Sequence, residues 1–470
     1  MAKFSFRNTF FNRNNDTTTK TIENKFNQAF FWGSLGSQVI NDDKDLKRYI
    51  DYAYNINPDV YSVVNQIANK FTSIPYVIRP IADEEASKKL QRLNTATKYN
   101  YTIAQEVKAY DLKEKAFGVD EQLLPMPLDR PNPQQSWTEF FTLSETFLNT
   151  TGNIYWYMVK PQEGINKGVP NSMYVLPSHL IEIVLKDAPD FLTLESPIDH
   201  FSLMEGVQYT DFKAEDVIHI KYPNPNYNQD GSHLYGQSPL RAGYKNIQMT
   251  NKGLDLSSNT LKNGGAFGFI HAKDSQTPLS NEQAAGVKSR LKEMNSDPED
   301  LGRIGAISQS IGFTRISLTT DELKPFEYFK YNLKQVCNVL GWDDKLLNSD
   351  DGAKYDNMTI AEKRVVTGKI VPDIKLYEQA LNHFFIPLFK GYENTKIDFL
   401  VRELPEMQQD MKTLVEWIEK VVNMGLITRN KALKIMGMPQ NEDANMDLIT
   451  VKDDIMTLAD ALLPQDDVQI

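Results

Sequence analysis

Two long helical segments with a small mixed segment between them constrain this chain more than any other feature. The first runs from about Ser238 to Lys262 and ends at Asn263-Gly264-Gly265, a helix-stop signal. The second covers 321–340, where Leu323, Phe326, Leu333, Cys337 and Leu340 recur at helical spacing, with Lys330 as the polar interruption. Between them lie the strand GFI (268–270) and a helix opened by Ser280 with Gln283 in a capping box. RIGAIS (303–308) and GFTRIS (312–317) read as a strand pair. The fold must therefore accommodate two long helices joined by an inserted αβ unit.

The rest of the chain alternates short strands with helices. Residues 1–40 lack sustained periodicity and read as an arm. A helix follows at 57–73: Asn57 is an N-cap, Pro58 suits the first helical position, and Val60, Val63, Val64, Ile67, Ala68 and Phe71 share one face. Pro75 stops it, and YVIRP (76–80) reads as strand. Residues 83–117 read as one long, charged, surface helix, and 123–133 as a Pro-rich linker. Ser136 with Glu139 opens a helix that ends before Gly152. IYWYMV, VLPSHLIEIV and VIHIKYP are short strands between 154 and 222. After the second long helix come a polar loop (343–357) and a helix of about 30 residues that Pro372 should kink. Residues 395–401 read as strand. From Met411 onward the chain reads as helical, with Met411, Leu414, Val415, Ile418, Val421 and Val422 in an amphipathic stripe that faces either its own subunit or a neighbour.

Composition excludes several classes. Of 470 residues, 41% are hydrophobic and 24% charged, as in ordinary folded proteins. No apolar run approaches the roughly 20 residues that span a bilayer, and the polar N-terminus has no secretory pattern, so no membrane partner is expected. The single cysteine, Cys337, rules out an intramolecular disulfide and reads as a buried structural residue. A net charge of −11 argues against wrapping DNA by phosphate neutralisation. Residues 1–29 carry five Lys/Arg against Asp16 and Glu23, a net of +3, whereas 440–470 carry Lys452 against eight acids, a net of −7.

There is no phosphate loop, and GGAFG (264–268) reads as a helix stop and turn. Six scattered histidines show no metal spacing, and His219 reads as structural. Asn226, Asn228, Asp230 and Gly231 fit the start of a calcium loop, but Gln237 stands where a bidentate Glu is required. Asp343-Asp344 and Asp350-Asp351 sit in one loop, not on converging rigid elements, as a two-metal nuclease requires. The expectation is no catalytic residue, no metal and no cofactor.

The order of motifs resembles the portal (head–tail connector) proteins of tailed bacteriophages, in their shorter, siphophage-type form. The resemblance runs piecewise through 57–437: NPDVYSVVNQIANKFTSIPYVI (57–78), DRPNPQQSWTEFF and TGNIYWYM (129–158), and VLPSHLIEI, EDVIHIKYPNP and YGQSPL (175–240). NGGAFGFI, LSNEQAAGVKSRL, VCNVLGWDDKLL, VPDIKLYEQALN and GLITRNKALKIMGMP follow in family order. After Gly341 the chain departs from the family's apolar-proline pair with Trp342-Asp343-Asp344.

The resemblance implies an α+β fold with portal architecture. An N-terminal arm would cover 1–40 and a wing 41–236 with 358–404. The two stem helices would be 237–263 and 321–342, with a clip at 264–320, a tunnel loop at 343–357, and a helical crown with acidic tail at 405–470. It further implies a ring of twelve subunits at the capsid vertex of the virion, assembled in the host cytoplasm. Double-stranded DNA would pass non-specifically. The terminase large subunit, a head–tail adaptor, and the major capsid protein and scaffold are the implied partners. Lys345, Asn348, Asp350, Asp351, Lys354 and Tyr355 are the expected channel-facing residues, and Phe326, Phe329, Leu333 and Val336 the expected ring interface. Another ring or scaffold protein and a DNA-processing enzyme are the alternative classes.

Overall fold

The structure, a computed structural model, describes residues 46–118, 123–186, 196–226, 231–262, 268–272, 280–296, 311–315, 325–347, 355–407, 411–436, 441, 443–451 and 456–457. The arm at 1–40, the helix stop at 263–265 and RIGAIS lie outside these residues.

Asn57 starts α1 (Pro58–Thr72) by accepting from the amides of Asp59 at 3.0 Å and Val60 at 3.1 Å. The face read from spacing, Val60 through Phe71, is fully buried. β1 (Tyr76–Pro80) follows. The charged stretch at 83–117 departs from expectation. It forms two helices, α2 (Glu84–Thr97) and α3 (Ile103–Phe117), broken where Lys98 and Tyr99 take positive φ of 50° and 61°. The signal was a local one: Gln105 Oε1 accepts from Thr102 N at 2.9 Å and restarts the helix. Nor is the stretch all surface, since Ala86, Tyr99, Tyr101, Ala116 and Phe117 are buried.

The Pro-rich linker is stitched down. Asn132 Nδ2 donates to the Met173 carbonyl at 3.0 Å, and Trp137 Nε1 to the Leu128 carbonyl at 3.1 Å. The Ser136–Glu139 capping box opens α4 (Trp137–Thr151). β2 (Asn153–Val159) and β3 (Ser172–Leu176) come next. Pro177 and a 3-10 turn divide VLPSHLIEIV, so β4 (Ile181–Leu185) joins a different sheet. That sheet has order β4-β5-β6, with β5 (Ile198–Glu205) and β6 (Gln208–Lys213). β7 (Val217–Lys221) completes the other, β3-β2-β7.

α5 (Leu240–Lys262), β8 (Gly268–Ala272), α6 (Asn281–Ser296), β9 (Ile311–Arg315) and α7 (Pro325–Leu340) form the helix–insert–helix unit. β9 pairs antiparallel with β8, Gly268 opposite Arg315 and Ala272 opposite Ile311; the strand expected at 303–308 lies outside the described residues. Short apolar runs mark strands without marking partners.

α8 (Tyr355–Val365) continues through a π-turn (Val366–Ile370) into α9 (Val371–Ala380), so the break expected at Pro372 takes the form of a widened turn just before it. β10 (Thr395–Phe399) pairs with β1, Tyr76 opposite Phe399. α10 (Met411–Asn423) and α11 (Arg429–Ile435) follow, but the helical reading of the C-terminal region fails at a small hairpin, β11 (Thr450–Val451) with β12 (Met456–Thr457). Ile418 and Val421 are buried against Ile427 and Ala432 of the same chain, while Val415 is exposed.

One continuous core joins α1, α4, β2, the start of α5, the end of α7, the α8–α9 helix and β10. Aromatic rings fill its centre: Phe71 meets Tyr377 at 4.6 Å between centroids, and Trp156 meets Phe140 at 5.2 Å. Glu378 of α9 is buried beside it. Burial and the neighbouring Asp398 push its carboxyl up to about 8, against the opposing Lys396 and the Phe399 amide that donates to Glu378 Oε1 at 3.1 Å.

A raised carboxyl contributes stability below its unfolded value that is lost as pH climbs through the folded one. The expected outcome is that stability declines as pH climbs from the ordinary carboxylate range to about pH 8, by up to about 1.4 kcal/mol per pH unit from this group, and levels off above that. Glu378→Gln should remove that part of the decline, as read by urea unfolding at several pH values.

Candidate functional site

The point where α5 leaves the core is built from two glycine-containing turns pressed together. Gly152 ends α4 with φ of 79°, and a Cβ there would sit 2.4 Å from the Gln237 carbonyl oxygen. On the facing segment, a Cβ on Gly236 would sit 2.0 Å from the Gly152 oxygen. Asn153 fills the remaining valences. Its Oδ1 accepts from Gly236 N at 2.6 Å, and its Nδ2 donates to the carbonyls of Thr151 at 2.9 Å and Gly236 at 3.2 Å. Ser238 Oγ donates to the Thr150 carbonyl. The Gly-Asn-x-Tyr and Tyr-Gly-x-Ser-Pro-Leu segments are thus two halves of one joint. His219 belongs to it: Nε2 lies 3.1 Å from Asn153 Oδ1, the ring stacks on Tyr155 at 4.4 Å, and burial pushes it down to about 3, keeping it neutral.

From this joint α5 runs for 23 residues, about 35 Å. A second tie holds it to α1, where Asn57 Nδ2 donates to Asn251 Oδ1 at 2.8 Å. α7 returns alongside. Gly243 faces Val339 and Gly253 faces Phe329, so the two helices run in opposite directions. Small residues at both crossings let them approach closely. Leu240 and Ile247 at one end, with Val336, Cys337 and Leu340 at the other, root the pair in the core. Burial pushes the Cys337 thiol up to about 12, with Asp344, Asp59 and Asp343 adding to it, so it is an inert packing group.

The segment after α7 is pinned at its base. Gly341 has φ of 73°, Trp342 is buried, and Asp343 caps a 3-10 turn by accepting from Lys345 N at 3.1 Å. Arg364 of α8 lies 3.8 Å from Asp343 Oδ2. Asp343 is therefore a structural residue of the base, which the departure from the family's apolar-proline pair did not reveal. The Lys345 side chain is exposed. Tyr355 opens α8 instead of standing in the loop, a correction to the expected boundary at 357. Asn348, Asp350, Asp351 and Lys354 lie outside the described residues.

The expected ring-interface residues divide. Val336 is 1% exposed in the subunit's own core, so it is no contact for a neighbour. Leu333 packs against that core, and Phe329 lies half-buried on Gly253. The side chain of Phe326 is outside the described set. A helix apolar on several sides is here buried between α5 and the core of one chain. Among the described residues, the large apolar groups left exposed on the pair are Met249, Leu254 and Leu256 of α5 and Tyr331 of α7. Among the described residues no group of three His, Cys, Asp or Glu could hold a metal ion, and no helix is long and apolar enough to cross a membrane.

The model of the phage portal protein family matches residues 101–437. The chain belongs to this family. The portal protein of Escherichia phage T5 is 23% identical over 387 residues, which are 79% of this chain and 86% of that one. An uncharacterised protein of Rickettsia felis is 23% identical over 315 residues, 66% of this chain and 77% of its own. Among solved structures, the neck of a native gene transfer agent particle computed with C12 symmetry has the same fold. It has a TM-score of 0.51 and 17% identity over 85% of this chain and 94% of that one. The virion of a native gene transfer agent gives 0.53, with 16% identity over 84% and 94%. A portal protein builds a ring at one vertex of the capsid, so this chain is a virion structural component and a ring subunit. Its mixed helix and sheet fold agrees with the α+β expectation.

Gly236→Ala should destabilise this portal subunit by about 2–3 kcal/mol, because two backbones cannot separate without breaking the joint. Denaturant unfolding measures it, with Gly164→Ala, a site with open space around it but also at positive φ, as a milder reference.

Proposed function

We propose that the ring is the conduit through which double-stranded DNA enters and leaves the capsid, and that α5 and α7 form its stem. The observation that carries this reading is an antiparallel helix pair rooted in the core at one end, with the αβ insert beyond the other and residues 341–347 at the root. In this reading 264–320 is the clip that docks the terminase large subunit and later a head–tail adaptor. Residues 46–236 with 358–404 form the wing towards the capsid protein and scaffold, and 405–470 the crown. Twelve subunits fit the symmetry computed for the gene transfer agent neck. The protein contributes no catalysis: packaging energy comes from the terminase. Assembly takes place in the bacterial host cytoplasm.

The segment after α7 lines the narrow part of the channel. Lys345 and Lys354 offer transient phosphate contacts, while Asp344, Asp350 and Asp351 repel the duplex; with Asp343 held in the base, the balance is two cations against three anions. Screening over about 8 Å keeps both effects local, so DNA slides without being gripped. Neighbouring subunits meet through Met249, Leu254, Leu256 and Tyr331. Closed head-to-tail contacts give a ring, since contacts that fail to close give filaments.

Two outcomes follow. Replacing 348–354 by three glycines should leave rings intact and abolish or shorten packaged genomes; full-length genomes in phage carrying this change would defeat the channel assignment. Leu254→Asp with Tyr331→Asp should lower the ring fraction in native mass spectrometry while circular dichroism stays unchanged. By contrast, Val336→Asp should unfold the subunit.

A further inference from the structure

The helix pair carries charge of the opposite sign to the rest of the chain. α5 and α7 hold six Lys/Arg against Asp255 and Glu327, a net of +4 within a chain of −11, which leaves −15 elsewhere. Four of the six have exposed side chains: Lys245 and Lys252 of α5, and Lys330 and Lys334 of α7. None of these four has an ion-pair partner among the described residues, whereas Lys88, Lys89, Lys160 and Lys369 each sit against a carboxylate.

The fold gathers the four into one belt. Lys245 and Lys252 are two turns apart and share one face of α5; Lys330 and Lys334 are one turn apart and share one face of α7. The helix crossings fix their levels. Gly243 faces Val339, and ten residues on along each helix Gly253 faces Phe329. Lys252 therefore stands level with Lys330, and Lys334 level with Gln248. The belt is about 10 Å tall. Its two stretches, 245–252 and 330–337, contain no acid and no arginine. Each copy in a ring presents the same belt, so closing the ring brings like charges together and costs free energy.

We propose that this belt binds the phosphate backbone of double-stranded DNA, as a site separate from the segment after α7, and that a bound duplex offsets the repulsion between neighbouring copies. That the duplex meets the belt inside a passage rests on the conduit reading above; the affinity of the belt for DNA does not. A duplex carries one negative charge per about 1.7 Å of its axis, so about six phosphates fall within the belt. Each copy offers four lysines, so a ring of several copies holds more ammonium groups than phosphates at every rotation of the duplex. An attraction that stays constant as the duplex turns and advances centres it without resisting its movement. Lysine suits this task, because its ammonium is a hydrated point charge on a flexible stem, without the rigid fork by which arginine clamps a phosphate. The belt also lacks the mixed charges that would set a register with a protein partner.

The test is binding of a short linear duplex to the assembled full-length ring, measured over a series of salt concentrations. Replacing Lys245, Lys252, Lys330 and Lys334 by Gln should weaken binding about tenfold or more at low salt and make the slope of log affinity against log salt shallower by about five. Lys252→Gln with Lys330→Gln should give about half that change in slope. If the fourfold variant forms no rings in native mass spectrometry, this pair carries the test by the same readings. Replacing Lys88, Lys89, Lys167 and Lys213, exposed lysines of α2, the β2–β3 turn and β6, by Gln changes the net charge equally and should leave affinity and slope as in the wild type. Wild-type affinity and slope in the belt variants overturn the proposal, and so does an equal loss in the α2, turn and β6 variant. A covalently closed circular duplex separates the belt from the channel reading, because it cannot thread a closed ring. Its failure to bind supports both. If it binds as tightly as the linear duplex and needs the four lysines, the belt stands as a DNA site and the channel reading alone falls.

Discussion

The close backbone contact between Gly152 and Gly236 is the constraint on which the rest of this portal subunit depends. It fixes where α5 departs from the β3-β2-β7 sheet, and nothing larger than hydrogen fits on either side. Asn153 converts the contact into a joint by bonding both polar groups of Gly236, and Asn57 repeats the device farther along α5. A long helix held at two buried points is a rigid lever, and α7 returns along it through the small-residue crossings at Gly243 and Gly253. The inserted β8–α6–β9 unit is therefore carried on a support whose direction is set in the core.

A second theme is how much polar chemistry this core contains without being a catalytic site. α4 buries Ser144, Glu145, Asn149, Thr150 and Thr151 along with its aromatic residues. The serine and threonine hydroxyls bond back to carbonyls one turn earlier, while Asn149 and Asn153 cross-link neighbouring backbone. Such networks specify one arrangement, because each unsatisfied member costs more than an apolar replacement.

Much of this was legible in the chain. The Asn57-Pro58 helix start, the Ser136–Glu139 and Ser280–Gln283 capping boxes and the structural roles of Cys337 and His219 all follow from local rules that the structure obeys. What was not legible depended on distant partners. GFTRIS reads as strand, but only the fold pairs it with 268–272. Val336 reads as one of several apolar faces, and burial against the core, not a neighbour, is a tertiary outcome. The break at Lys98-Tyr99 carries no glycine or proline, so the charged helix looked continuous. The π-turn at Val366–Ile370 was not legible because a π-turn has no simple sequence period.

The account stands on the chain being a ring subunit with α5 and α7 at the wall of a central passage. Electron microscopy of the purified full-length protein tests that most directly. The account predicts rotationally symmetric rings with a central opening that admits a DNA duplex, and the helix pair lying next to that opening with the 342–354 segment at its narrowest level. Particles that remain monomeric at all concentrations and salts, or closed assemblies whose helix pairs point outward from a solid centre, would contradict it.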